Sequence, residues 1–316
     1  MKAKAVIERA TGLDALKAQV AALKQENDTL SRALAAAPRH RAPPLATPRP
    51  SARAPESFVR VIVPDSHGEH IDPAARDAFL ADLKLLQASQ IVMLGDHLDC
   101  AGTFSSHQRS YTNELAESYD ADVAACNVFL DAIQRYAPYA QIHYLEGNHE
   151  AHVERWAVQT FPSHRDAQMV LDKLGPEGVL SLKHRGIKYY RRGEFYGGLS
   201  IPGTIKLGKC YYTHGFAHSK HATYTHLQRV GCNVVHGHTH RAQSVVERTV
   251  VSDGHGAWCP GTLAKLQPLY AHTAPSSWSH GYAVQFVQVA SGRFAHFNVT
   301  ISRGESFLSV IKDRLK

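Results

Sequence analysis

Apolar and polar positions follow two different rhythms between residues 58 and 150. Short β-rich apolar runs each end in a polar turn, and between them apolar residues recur every three or four positions. The first rhythm is typical of buried strands and the second of amphipathic helices. Strands that alternate with helices predict a largely parallel central sheet, with functional groups just beyond the carboxyl ends of its strands. The runs are FVRVIV, QIVM and QIHYL, and the helical segments are DPAARDAFLADLKLLQAS and NELAESYDADVAACNVFLDAIQRY.

The first 37 residues follow a third pattern, a heptad repeat. Apolar positions step alternately by three and four, with one asparagine at an a position: Leu13, Leu16, Val20, Leu23, Asn27, Leu30 and Leu34. A lone asparagine at an a position fixes two parallel helices in register. We therefore expect residues 1–37 to form a coiled coil that makes the chain a homodimer. The alternative is an amphipathic helix packed on its own domain.

Residues 38–57 have the composition of a linker. The segment PRHRAPPLATPRPSARAPES holds six prolines and four arginines, which predicts an extended, mobile and disordered tether. The net charge of +7 is concentrated at the front, since residues 1–37 carry +2 and residues 38–57 carry +3. Residues 58–316, the predicted catalytic domain, are near neutral, so charge alone is weak support for a nucleic-acid partner.

Composition narrows the class of protein. Hydrophobic residues make up 44% of the 316 positions, enough for one large α/β domain with an appendage. No apolar run approaches the roughly 20 residues of a membrane span, and the N-terminus lacks the apolar core of a secretory signal. The five cysteines are scattered and show no C-x-x-C pair, which predicts reduced thiols. We therefore expect a cytoplasmic protein with no membrane partner.

Residues that commonly bind metals follow five predicted strands. Each of these loops also contains a glycine, which lets the backbone approach a site closely. Because strand ends of such a sheet meet at one edge, we expect the five loops to build a single site. In chain order, the residues are Asp65 and His67; Asp96 and Asp99; Asn148, His149 and Glu150; His214; and His238 and His240.

The order of these motifs resembles that of the calcineurin-like metallophosphoesterases. The chain contains D-x-H at 65–67, G-D-x-x-D at 95–99, G-N-H-E at 147–150, T-H-G at 213–215 and G-H-T-H at 237–240. The resemblance covers roughly residues 58–300 and is greatest to phage and prophage members. It implies an α/β fold of two facing mixed β-sheets flanked by helices, with two divalent metal ions at the sheet edge.

The resemblance also implies which residues bind the metal ions. The bridging ligand would be Asp96, the other ligands of the first ion Asp65, His67 and His240, and those of the second ion Asn148, His214 and His238. These donors, without thiolate, suit Mn²⁺, Zn²⁺, Fe or Ni²⁺, and Mn²⁺ is our first choice. Two ions about 3.5–4 Å apart activate a bridging hydroxide for attack on phosphorus. We expect His238 and His240 to point the same way on an extended chain.

Two further residues would act on the substrate. By resemblance, His149 faces the substrate and either protonates the leaving oxygen or stabilises the transition state, and Asp99 fixes its tautomer. Three other polar residues near the motifs have simpler interpretations. We expect His236 to be packed or hydrogen-bonded. His97 would lie in a surface loop, and the alternative is that it contacts a phosphate. Arg241 would either contact a phosphate oxygen or be solvated or salt-bridged.

The expected function is two-metal hydrolysis of a phosphoester. A phosphodiesterase that acts on nucleic acid or nucleotides is favoured, and a protein or small-molecule phosphomonoesterase is the alternative. Serine/threonine phosphatases of the superfamily carry Arg-Gly after G-D-x-x-D, where this chain has Cys100 and Ala101. That difference weighs against their branch. A non-catalytic scaffold of the same fold is a third interpretation, which the complete set of ligand types disfavours.

Overall fold

The computed structural model describes residues 56–100, 104, 118–250, 252–267 and 276–309. The predicted coiled coil and nearly all of the predicted linker lie outside these ranges. The described residues form two mixed β-sheets that face each other, with helices on the outer sides. The sandwich architecture implied by the family resemblance is therefore confirmed.

The elements follow in chain order, numbered within the described residues. The strands are β1 (Ser57–Val63), β2 (Gln90–Met93), β3 (Gln141–Leu145), β4 (Lys188–Tyr190), β5 (Thr204–Leu207), β6 (Cys210–Thr213), β7 (Val234–His236), β8 (Ala242–Thr249), β9 (Ser252–Pro260), β10 (Gly281–Gln288), β11 (Phe294–Ser302) and β12 (Glu305–Ser306). The helices are α1 (Pro73–Leu86), α2 (Tyr119–Tyr136), α3 (Ala151–Thr160), α4 (His164–Leu174), α5 (Pro176–Val179) and α6 (Ala222–Val230). A 3₁₀ turn covers Gly68–His70.

The first sheet has the strand order β12-β11-β10-β1-β2-β3-β4, and the second has the order β5-β6-β7-β9-β8. Strands β1 to β4 run parallel to one another, as the alternating pattern predicts. Strands β10, β11 and β12 join the first sheet antiparallel. The prediction of a largely parallel sheet is wrong for this half. Here consecutive strands follow one another without a helical crossover, and such strands pair antiparallel.

Both faces of the first sheet are buried. One face packs on helices through a large core that includes Val61, Ile91, Met93, Phe79 and Leu130. The other face packs on the second sheet through Ile62, Val92, Leu145, Tyr212 and Val235. Burial on both sides explains why the apolar runs of β1 and β2 are continuous and do not alternate. It also holds the two sheets face to face, so that the loops after their strands can meet at one edge of the sandwich.

Capping residues define where the first two helices begin. The side chain of Asp72 accepts a hydrogen bond from the Ala75 amide, with Pro73 in the first turn. Ser118 caps α2 in the same way through the amide of Ala121. These are common N-terminal signals. The first predicted helix is confirmed, and the second begins at Tyr119.

The described part of the chain contains no helix that is long and apolar enough to cross a membrane. All five cysteines are free thiols, and Cys232 is exposed whereas the other four are buried. Four of the five thiols are thus packed in the interior, and their reduced state stays a prediction.

Candidate metal centre

Neighbouring parallel strands bring the five predicted loops together. Strands β1, β2 and β3 are adjacent in the first sheet, and β6 and β7 are adjacent in the second. Potential metal ligands converge in three groups whose donor atoms lie within 4.8 Å of one another: Asp65, His67 and His240; Asp96, His214 and His238; and His67, Asp99 and His149. His240 belongs to the first group and His238 to the second, so the two histidines of the G-H-T-H motif lie in different groups, as the resemblance implies.

The first group is organised by Asp99. The Nδ1 atom of His67 lies 2.7 Å from Asp99 Oδ1. Because an ionised carboxylate can only accept, His67 donates through Nδ1 and keeps a lone pair on Nε2. That Nε2 lies 3.1 Å from His240 Nε2, which is itself 3.1 Å from Asp65 Oδ2. The unshared ligand atoms of the group therefore face one another in a buried space.

The second group shows the same arrangement. The Nδ1 atom of His214 lies 2.9 Å from the carbonyl oxygen of Leu94 and must donate to it. The other ring nitrogen, Nε2, lies 2.9 Å from Asn148 Oδ1 and 3.2 Å from Asp96 Oδ2. A hydrogen bond from one ring nitrogen to a backbone carbonyl oxygen commonly fixes the tautomer of a metal-binding histidine. Asn148 therefore joins the second group through its amide oxygen.

Asp96 connects several loops, but the structure places its carboxylate with the second group. Its Oδ1 accepts a hydrogen bond from the His149 amide at 2.9 Å. Its carbonyl oxygen accepts from the amides of Ser66 and His67 at 3.1 and 2.9 Å. The carboxylate is 2% exposed. Bridging of two ions by Asp96 stays a prediction.

The donor sets fit divalent cations. In each group, nitrogen and oxygen atoms that can bind a metal converge within 4.8 Å of one another in a largely buried space, so a positive charge between them is stabilising. Burial opposes protonation of His214, but the charge of Asp96 raises the pKa of this imidazole. The Nδ1 atom of His240 is buried and has no hydrogen-bond partner within the described part of the chain. Imidazole, carboxylate and amide donors match Mn²⁺, Fe, Ni²⁺ and Zn²⁺.

The charges around the two carboxylates favour the ionised state that metal ligands need. Burial would raise the pKa of Asp65, but the charge and hydrogen bond of His240, with the charge of His214, lower it to about 2. Burial would likewise raise the pKa of Asp96, and the charge of His214 holds it well below its usual value. Burial lowers the pKa of His238 to about 4. Ionised carboxylates and a neutral His238 are ready to bind a cation without first losing protons.

The backbone of the site adopts an uncommon conformation. His67, Asp96, His238 and His240 all have positive φ angles, between 50° and 69°. The expectation that His238 and His240 lie on an extended chain is therefore wrong. Strand β7 ends at His236, and a tight turn directs the two side chains to different groups. Left-handed residues cost about 1–2 kcal/mol each, and such strain is common at functional sites.

Two glycines permit the close approach of these loops. A Cβ atom on Gly237 would lie 2.5 Å from Asp65 Oδ1, and one on Gly147 would lie 2.0 Å from Asp96 Oδ1. Both contacts are shorter than any side chain tolerates. The expectation that Gly237 allows tight approach to the site is confirmed, and the His238 amide uses this space to donate to the Asp65 carboxylate at 3.0 Å.

His149 lies beside the first group and is held by Asp99. Its Nδ1 is 3.2 Å from Asp99 Oδ1 and 3.0 Å from the Asp99 carbonyl oxygen. Its ring meets that of His67 edge-on, at a centroid distance of 4.7 Å. Burial would lower the pKa of His149, but the charges of Asp96 and Asp99 raise it well above its ordinary value. The predicted pair of His149 and Asp99 thus exists, and Asp99 also orients His67, which the sequence did not indicate.

Glu150 supports the site in a way that sequence reasoning missed. One carboxylate oxygen accepts from the amides of Asp96 and Gly147 at 2.8 and 2.9 Å. The other accepts from the amides of His97 and Leu98 and from the Tyr144 hydroxyl, at 2.7, 3.2 and 2.7 Å. Burial and the charge of Asp96 raise the pKa of Glu150 to about 7. The carboxylate holds the loops after β2 and β3 in one arrangement.

Asp122 supports the same region from helix α2. Its carboxylate accepts from the amides of Asp99 and Cys100 at 3.2 and 2.8 Å. Gly68 packs directly against it, because a Cβ atom there would lie 1.5 Å from Asp122 Oδ1. Burial and the charge of Asp99 raise the pKa of Asp122 well above its ordinary value. In the sequence, the only sign of this role was that Asp122 is an acidic residue in the first turn of α2.

Three polar residues near the motifs can now be placed. His236 is buried and hydrogen-bonded to the Thr223 hydroxyl, as expected. His97 is fully buried, with Nδ1 2.9 Å from Ser66 Oγ, so the prediction of a surface histidine is wrong. The Arg241 side chain donates to the carbonyl oxygens of residues 218 and 219. It therefore braces a loop, which neither sequence interpretation foresaw.

No protein-family model matches the chain, and no curated protein sequence matches it. Several solved structures are similar in fold. YfcE, a phosphoesterase from E. coli, is 16% identical with a TM-score of 0.34, over 76% of this chain and 99% of that one. Vacuolar Protein Sorting 29 from Cryptosporidium parvum is 11% identical with a TM-score of 0.40, over 80% and 95% of the two chains. A hypothetical protein from Pyrococcus horikoshii is 13% identical with a TM-score of 0.38, over 81% and 92%. At these TM-scores the likenesses add nothing to the account of this chain's chemistry.

Proposed function

We propose that this protein is a phosphoester hydrolase that uses two divalent metal ions. The observation that carries the proposal is the separation of the buried ligands into two adjacent groups, Asp65, His67 and His240 in one and Asp96, His214 and His238 in the other. Within these groups, His67 Nε2 lies 3.1 Å from His240 Nε2 and His214 Nε2 lies 2.9 Å from Asn148 Oδ1, and the buried His240 Nδ1 has no hydrogen-bond partner among the described residues. Mn²⁺ is the first ion to assay.

The chain's own residues would hold the two ions and prepare them for chemistry. A pair of such ions supplies an activated water nucleophile and neutralises the phosphoryl oxygens. Asp99 and the Leu94 carbonyl fix the tautomers of His67 and His214, so that each presents Nε2. Asp96, whose main chain and side chain contact loops of both groups, is proposed as the shared ligand.

His149 is proposed as the general acid. Its backbone is fixed by the hydrogen bond of its amide to Asp96, and its ring is held by Asp99. The charges of Asp96 and Asp99 raise the pKa of His149 and so favour the imidazolium form. An imidazolium at the edge of the ligand groups can donate its proton to the leaving oxygen or stabilise developing negative charge.

The proposed substrate class is a phosphodiester of nucleic acid or nucleotide type. A screen of the Mn²⁺-loaded full chain tests it, with bis-p-nitrophenyl phosphate, p-nitrophenyl phosphate, and single- and double-stranded DNA as substrates. The proposal predicts hydrolysis of the diester and of DNA. Activity on the monoester alone would make the protein a phosphomonoesterase, and no activity on any substrate would favour a non-catalytic scaffold. Asp96→Asn serves as the control for a contaminating enzyme.

A further inference from the structure

A cavity opens directly beside the second ligand group. It has a volume of about 540 Å³ and is lined by residues of the loops after β4 and β6 and by helix α6, among them Arg192, Thr213, Gly215, Phe216 and Arg229. Pockets of about 300–1,000 Å³ are typical of small-ligand sites. The cavity is therefore large enough for part of a substrate, and its residues have no role in the metal site described above.

The cavity and the second ligand group share a wall. Thr213 and Gly215 line the cavity and flank His214 in the sequence. A Cβ atom on Gly215 would lie 3.2 Å from the Cβ of His238, so the glycine that lines the cavity also packs closely on that ligand. The Arg192 side chain donates to the Gly215 carbonyl oxygen at 3.2 Å. The cavity is therefore adjacent to the ligand group in the structure.

The lining of the cavity has the chemistry of an anion site. It includes two arginines and no carboxylate. Arg192 is partly buried and is anchored through its own amide, which donates to Glu146 Oε2 at 2.7 Å. Arg229 is exposed in the last turn of α6. Phe216 presents an exposed ring in the same cavity. Guanidinium groups match phosphoryl oxygens, and an aromatic face suits a nucleobase or sugar.

We infer that this cavity is a subsite for a second phosphoryl group of the substrate, so that the preferred substrate is a nucleotide diester carrying an additional phosphate. This inference rests on the proposed phosphodiesterase function and specifies its substrate. The reacting diester would lie at the ligand groups, and the additional phosphate would lie between Arg192 and Arg229.

The dinucleotide thymidylyl-thymidine, with one phosphodiester, and its forms with a terminal 5′- or 3′-phosphate test the inference, because they differ by one phosphoryl group. With the Mn²⁺-loaded full chain, we expect at least one phosphorylated form to have a KM about fivefold to tenfold lower than that of the parent, the size of one charge-assisted contact at an exposed site. The Arg229→Gln variant should remove most of this preference. Arg135→Gln is the matched control, since Arg135 is also an exposed arginine in the last turn of a helix, α2.

Calorimetric binding of the same dinucleotides to the full chain in EDTA gives a readout that does not need turnover. Tighter binding of a phosphorylated form that depends on Arg229 but not on Arg135 would support the subsite. If this result were found and no dinucleotide were hydrolysed, only the proposed function would fail. Equal KM values and equal binding for all the dinucleotides would overturn the inference. So would a preference that Arg229→Gln and Arg135→Gln reduce equally.

Discussion

Replacement of Glu150 by glutamine tests whether this buried carboxylate holds the metal centre together. Glu150 accepts five hydrogen bonds, two at one oxygen and three at the other. A glutamine has nearly the same size, but its amide nitrogen is a donor. Whichever way the amide turns, that nitrogen faces at least two donors, so at least two hydrogen bonds are lost and their donors stay buried.

The expected loss follows from these contacts. A hydrogen bond to a charged group contributes about 1.5–3 kcal/mol, so two lost bonds correspond to about 3–6 kcal/mol of unfolding free energy. The pKa of Glu150 is raised to about 7, so at neutral pH part of the Glu150 carboxyl groups already carry a proton. The expected loss of unfolding free energy therefore lies at the lower end of this range. The amide of Asp96 is one of the freed donors, so metal affinity should fall as well.

Urea unfolding in EDTA measures the stability change, and Mn²⁺ titration by calorimetry measures the affinity change. Glu154→Gln is the matched control, because Glu154 lies one turn further along α3 and is exposed. We expect Glu150→Gln to lose about 3 kcal/mol or more and to bind Mn²⁺ at least tenfold more weakly, with Glu154→Gln close to wild type. A loss below about 1 kcal/mol with unchanged Mn²⁺ binding would refute the reasoning.

Three further predictions concern catalysis, assembly and pH. His149→Ala should leave metal content unchanged and lower kcat by about 10²–10⁴, and wild-type turnover on every substrate would show a structural role. A chain that starts at Glu56 should be monomeric by light scattering and keep its turnover on a small diester; a dimeric or inactive product would contradict the proposed role of the heptads. Burial lowers the pKa of His143 from 6.5 to about 4. The contribution of the neutral His143 to the unfolding free energy is therefore fully present above pH 6.5 and is lost as the pH falls towards 4. His143→Gln should therefore remove about 2 kcal/mol of the decrease between pH 7 and pH 5, measured by urea unfolding; an unchanged decrease would count against a neutral His143.

The positions of the site residues were predictable because their signal is local. Asp65, Asp96, Asn148, His214 and His238 each follow a strand closely, and parallel strands bring such residues to one sheet edge. The pattern therefore predicted which side chains would converge at the sheet edge without knowledge of side-chain contacts. The β1 to β4 part of the first sheet was predictable for the same reason, since its strands alternate with helices.

The supporting contacts were not predictable because they depend on packing between distant segments. Asp122 reaches the Asp99 and Cys100 amides from a helix whose placement is set by the core. Glu150 gathers donors from two loops that meet only in the folded sheet. Likewise, the left-handed conformations of His238 and His240 are imposed by tertiary contacts, and a pattern of residue types carries no information about them.

The dual role of Asp99 shows how such contacts change the interpretation of a motif. The sequence paired Asp99 with His149 alone, whereas the structure places one carboxylate oxygen 2.7 Å from His67 and 3.2 Å from His149. A ligand of the first group and the proposed general acid therefore share one orienting carboxylate. Under the proposed function, metal binding and protonation of the leaving group would be linked through this residue.

The metal content of the full chain tests the central claim most directly. Wild-type protein and Asp96→Asn are loaded with Mn²⁺, freed of excess metal and measured by elemental analysis, with circular dichroism to verify that both are folded. The account predicts two ions per wild-type chain and the loss of both in Asp96→Asn, because one carboxylate serves both groups. One ion or none in the wild-type chain, or two ions retained in a folded Asp96→Asn, would contradict it.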